Sequence, residues 1–73
     1  MSNKVCVVED FEYNTEESFF THKPSDFRLD CDFILLFDYE NIKRLFAVSS
    51  GDYELNTDVV EQLRVQIREH RDQ

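Results

Sequence analysis

The chain has 73 residues and a formal net charge of −8, a length that buries only about 60% of the surface its unfolded form exposes. With 41% hydrophobic residues, seven Phe and three Tyr, it is too apolar for a disordered acidic tail, and one compact domain over residues 1–73 is expected. A single-sign negative field repels nucleic acid and anionic membrane, and no run of about 18 apolar residues is present to span a bilayer, so the expected partner is a protein with a basic surface.

The acidity is uneven. Residues 1–40 carry ten acids and three bases, whereas residues 41–73 carry six acids and five bases. The opening "MSNKVCVVEDFEY" has one lysine and an apolar run of only "VCVV", short of a signal-peptide core. Cys6 and Cys31 are expected as buried reduced thiols, and the expected compartment is the cytoplasm.

"KVCVV" (4–8) is a β-branched run and reads as a strand. It leads into "VVEDFEYNTEESFF" (7–20), where Glu9, Asp10, Glu12, Glu16 and Glu17 alternate with Phe11, Tyr13, Phe19 and Phe20, and no base interrupts them. Phe19 or Phe20 is expected to pin this segment to the core. The five carboxylates are expected in solvent with Phe11 or Tyr13 among them, an aromatic anchor inside a charged rim. Glu9, Asp10, Phe11, Glu12, Tyr13, Glu16 and Glu17 are thus the predicted partner-binding residues. The competing reading is a solubilising loop. "THKPSD" (21–26) holds the chain's one proline and reads as a loop.

In "FRLDCDFILLF" (27–37), Phe27, Leu29, Cys31, Phe33, Leu35 and Phe37 recur with period two, which predicts a strand. "DYEN" (38–41) turns the chain into a second strand over 42–50, placing Phe37 opposite Ile42, Phe33 opposite Phe46 and Cys31 opposite Val48. Arg44, opposite Leu35, is the one discordant residue of this hairpin. "SSGD" (49–52) makes a turn, and residues 56–73 read as a helix capped by Asn56 or Thr57, with Asp58 and Glu61 near its start and His70 and Arg71 near its end. Val59, Val60, Leu63, Ile67 and His70 share one helical face. Arg64, Arg68 and Arg71 form a stripe beside it, with Glu61 and Asp72 just beyond. The predicted fold class is α+β: a small antiparallel sheet of about three strands, with a long hairpin and one C-terminal helix.

Catalytic signatures are scarce. One glycine cannot build a phosphate-cradling loop, and no CxxC, HExxH or EF-hand spacing occurs. Asp30 and Asp32 of "DCD" with His22 or His70 are the only metal set with any pattern, and in so acidic a chain chance accounts for it. Cys6 or Cys31 with His22 is a weaker nucleophile pair, because both cysteines fall on apolar strand patterns. The expectation is a protein that is not an enzyme and uses no metal or cofactor.

Four acid–x–acid pairs stand out: Asp10–Glu12, Asp30–Asp32, Asp38–Glu40 and Asp52–Glu54. In extended chain such carboxylates lie about 6.6–6.8 Å apart on one face, near the phosphate step of a DNA strand. Sixteen acids in 73 residues also generate such pairs by number alone.

In length, acidity, a single α+β domain and the missing active site, the chain resembles the small acidic host-takeover proteins of lytic phages. Within that group it is most similar to those that bind bacterial RNA polymerase as transcription inhibitors or antiterminators. The resemblance implies docking on the polymerase in the host cytoplasm, blocking promoter engagement or altering termination, and it carries no binding residue over. Two other functions fit the same charge: a DNA mimic against restriction, CRISPR or recombination nucleases, and an adaptor or immunity-type protein neutralising a basic partner.

Overall fold

The structure, a computed structural model, describes residues 4–71; Asp72, expected beside the arginine stripe, lies outside them. It is α+β. The chain runs β1 (Lys4–Val5), a 3-10 turn (Val8–Asp10), β2 (Phe11–Asn14), β3 (Phe19–His22), β4 (Phe27–Asp30), α1 (Cys31–Leu36), α2 (Tyr39–Ser50), β5 (Tyr53–Glu54) and α3 (Thr57–Arg71).

The middle of the molecule is an antiparallel sheet in the order β2-β3-β4. Its register places Phe11, His22 and Phe27 side by side, then Glu12, Thr21 and Arg28, then Tyr13, Phe20 and Leu29, then Asn14, Phe19 and Asp30. Because side chains alternate across a sheet, one face carries Phe11, Tyr13, Phe20, His22, Phe27 and Leu29, and it covers the core. The other carries Glu12, Asn14, Phe19, Thr21, Arg28 and Asp30, and faces water. Both hairpin loops have four residues and end in a left-handed residue, Ser18 (φ 59°) and Asp26 (φ 64°). In each, the amide of that residue returns to the carbonyl before the loop: Ser18 N to Asn14 O at 2.9 Å, and Asp26 N to His22 O at 2.7 Å. The Asn14 side chain fixes the first loop by accepting from Glu16 N (3.0 Å) and Glu17 N (2.9 Å), an Asx-type turn.

The predicted long hairpin of residues 27–37 and 42–50 is not formed. Its first strand stops at Asp30, whose carboxylate accepts from Asp32 N at 2.8 Å and caps α1. Two residues beyond α1, Asp38 caps α2 by accepting from Asn41 N (3.1 Å) and Asn41 Nδ2 (2.8 Å). The helix ends at Gly51 in the left-handed region (φ 79°), a C-terminal signal that glycine supplies without strain. Phe33 and Phe46 are therefore not cross-strand neighbours. Phe46 lies within 5.0–5.8 Å of the His22, Phe11 and Phe27 rings, whereas Phe33 stacks on Phe37 at 4.6 Å.

β1 is shorter than the predicted 4–8 strand, since the backbone turns into the 3-10 segment at Val8. It pairs parallel with β5, giving a second, two-stranded sheet the sequence did not announce, and Cys6 N extends the pairing to Glu54 O at 3.0 Å. The C-terminal helix stands where expected. Asn56 is its cap, accepting from Val59 N at 2.9 Å, and Val59, Val60, Leu63 and Ile67 are buried in the core, the helix packing on α1 and the 3-10 turn. His70, the fifth member of the predicted apolar face, is exposed at the helix end and packs on Tyr13 at 4.5 Å.

Candidate functional site

The carboxylates of this chain divide by what holds them. Asp30 and Asp38 cap helices, Glu61 pairs with Arg64 at 2.7 Å, Asp32 with Arg71 at 2.8 Å, and Glu54 with Lys43 at 3.9 Å. Glu9, Glu12, Glu16 and Glu17 are exposed, and among the described residues their side chains enter no ion pair or hydrogen bond. They follow the sheet's edge strand: Glu9 just before β2, Glu12 within it, and Glu16 and Glu17 in the turn that follows. Asp26, Glu40, Asp52, Asp58 and Glu69 are likewise unpaired, but they are scattered over two other turns, α2 and α3.

The outer face of the sheet adjoins this acidic line. A shallow depression of about 270 Å³ is bounded by Glu12, Tyr13, Asn14, Phe19, Thr21 and Arg28. Phe19 is half-buried there beneath the Arg28 guanidinium, 4.7 Å from the ring centroid. Glu12 and Arg28 sit on strands separated by β3, and they form no ion pair.

Of the seven predicted partner-binding residues, four occupy this surface: Glu9, Glu12, Glu16 and Glu17. Asp10 is half-buried, and its carboxylate accepts from Val7 N at 3.3 Å, tying down the 3-10 turn. Phe11 is buried in the core, edge-on to Phe20 at 6.5 Å. Tyr13 lies on the inner face, stacked on Phe20 at 4.8 Å. Neither Phe11 nor Tyr13 is the solvent-facing aromatic the sequence suggested. Strand alternation gives that position to Phe19, and Phe20, fully buried, is the residue that pins the segment.

The metal set considered from sequence is not assembled, whereas of the two nucleophile pairs Cys6 and His22 do meet, in the core. Asp30 and Asp32 are engaged by the α1 cap and by Arg71, and among the described residues no three His, Cys, Asp or Glu side chains gather as metal ligands. His22 is instead the centre of a buried polar chain. Its Nε2 lies 3.4 Å from Cys6 Sγ and its Nδ1 2.6 Å from Ser25 Oγ. Burial, with the Asp10 charge adding to it, pushes the Cys6 thiol up to about 11. Burial also pushes the His22 imidazole down, against the Asp10 carboxylate. At neutral pH both groups are uncharged, so the pair is a core hydrogen bond and not an activated thiolate. Cys31 is a second buried free thiol, raised by burial.

Two members of the arginine stripe are engaged within the fold, Arg71 by its pair with Asp32 and Arg64 by backbone carbonyls. Arg64 donates from Nε to Ile34 O (3.2 Å) and from Nη2 to Phe37 O (3.0 Å), closing the C-terminal end of α1. No acid–x–acid pair lies within one strand: Asp30–Asp32 and Asp38–Glu40 straddle helix starts, Asp10–Glu12 begins in the 3-10 turn, and Asp52 is left-handed (φ 72°). The extended spacing needed to imitate phosphates does not apply to them.

No protein-family model, curated protein or solved structure matches the chain.

Proposed function

We propose that this chain is a phage-encoded, non-enzymatic docking protein that binds bacterial RNA polymerase and blocks initiation or alters termination. The observation that carries the reading is the unpaired row of Glu9, Glu12, Glu16 and Glu17 along an edge strand, beside an aromatic held under Arg28. Carboxylates left free in solvent contribute little to folding. Gathered on one rigid edge, they steer encounter with a basic surface, such as the template-facing channels of a polymerase. No helix among the described residues is long and apolar enough to cross a membrane, which fits a partner met outside the bilayer.

The test is promoter-dependent RNA synthesis by purified bacterial RNA polymerase holoenzyme titrated with the protein. The expected outcome is loss of full-length transcripts or read-through of a terminator, reversed by Glu12→Lys/Glu16→Lys/Glu17→Lys. Unchanged transcription together with inhibited cleavage by a restriction or CRISPR nuclease would transfer the function to a DNA mimic. The helix-cap roles of Asp30 and Asp38 weigh against that alternative.

A further inference from the structure

α2 is apolar on two opposite sides. Ile42, Phe46 and Ser50 face the core, while Leu45 and Val48 point the other way and are 42% and 79% exposed. The outward stripe of residues 41, 44, 45 and 48 has the i, i+3, i+4, i+7 spacing of a helix–helix seam. With Phe33 and with Phe37, itself 46% exposed, these residues bound an open groove of about 440 Å³ between α1 and α2. Two of the four stripe positions, Leu45 and Val48, are apolar, and with Phe33 and Phe37 they form an uncovered apolar patch around Arg44.

The groove differs from the rest of the surface in sign. Its one charged residue is Arg44, which among the described residues pairs with no carboxylate although the chain carries −8. The guanidinium offers up to five N–H donors, and beside it Asn41, whose amide N–H donates to Asp38, completes the polar part of the groove lining. We infer that the α1–α2 groove is a second docking site, taking an amphipathic helix of a partner protein that presents aliphatic side chains and one carboxylate to Arg44. The stripe extends over two helical turns, about 10 Å, which matches a partner helix laid alongside α2. A second copy of this chain is a poor occupant. A two-fold axis through the stripe sets Arg44 near its own symmetry mate and brings together two bodies of −8 each.

This site is separate from the acidic edge and does not depend on it. The test titrates the full chain, followed by its amide NMR resonances, with a designed helical peptide of about 16 residues. The peptide carries Leu at i, i+3 and i+7 and Glu at i+4, and a second version carries Lys in place of Glu. The expected result is a set of shifts confined to residues 33–48, with the Glu peptide bound about tenfold or more tighter than the Lys peptide. Arg44→Glu should invert that preference, Val48→Glu should abolish binding with the remaining resonances in place, and Glu12→Lys/Glu16→Lys/Glu17→Lys should leave it unchanged. Absence of shifts with either peptide overturns the inference, and so does equal affinity for both. Groove shifts that follow protein concentration alone would assign the face to a second copy and equally overturn it.

Discussion

Arg64 illustrates how a charged residue can be structural in a chain dominated by the opposite charge. A helix of six residues leaves most of its carbonyls without intrahelical donors, and the Arg64 fork supplies one of them, at Ile34, and the carbonyl of the C-cap residue Phe37, while Glu61 holds the guanidinium in place. Arg64→Ala should cost about 1–3 kcal/mol in urea unfolding, and Arg64→Lys, lacking the planar fork, should recover only part of it. A stability unchanged by Arg64→Ala would mean these carbonyls are satisfied by water. The buried Cys6–His22–Ser25 chain gives the fold a pH window. His22 is depressed, so its contribution is present above the unfolded value near 6.5 and is lost as pH falls. Cys6 is raised, so its contribution is present below 9.0 and fades as pH rises toward about 11. Stability measured against pH should therefore decline on both sides of roughly 6.5–9, and Cys6→Ala should make the alkaline decline shallower, the remainder coming from Cys31, which burial also raises. An alkaline decline identical in Cys6→Ala would place its origin elsewhere.

At the scale of elements, Phe33 and Phe46 separate the observed fold from the predicted hairpin. Phe46 is fully buried in an aromatic cluster with His22, while Phe33 is half-buried at the groove. Phe46→Ala should cost about 3–5 kcal/mol and approach global unfolding. Phe33→Ala should keep a dispersed amide spectrum; its collapse would argue for the hairpin after all. The C-terminal helix was legible because its 3.6-residue apolar period, acidic start and basic end agree with one another. The short sheet was legible as an α+β element but misplaced along the chain. Residues 27–37 keep period two across the β4–α1 boundary, and six residues of α1 are too few for a helical period to declare itself. The stronger signal lay in the caps: Asp30, Asp38 with Asn41 three residues on, and Gly51 closing the run. Arg44, discordant as a strand residue, is unremarkable on the outer side of α2. The parallel β1–β5 pair joins segments nearly fifty residues apart, and no local pattern encodes such a contact.

Across the whole molecule, charge is organised as much by what the acids do as by how many there are. The exposed glutamates of residues 9–17 and the burial of Phe20 were legible, but the inward side of Phe11 and Tyr13 and the outward side of Phe19 were not. Phe11, Tyr13 and Phe20 point inward and Glu12 and Phe19 outward only because β2 and β3 pair in one register. The same distribution predicts that duplex DNA at low salt gives no mobility shift; a shift would overturn the charge argument and make the arginine stripe of α3 the working surface. The central claim, that the acidic edge steers the chain onto a polymerase, is tested most directly by association kinetics on immobilised bacterial RNA polymerase over a range of salt. The wild-type association rate should fall steeply as salt rises. Glu12→Lys/Glu16→Lys/Glu17→Lys, with an unchanged circular dichroism spectrum, should associate about tenfold more slowly at low salt and respond weakly to salt. A folded triple variant with the wild-type rate and salt slope, or a wild-type chain that does not bind the polymerase, would contradict it.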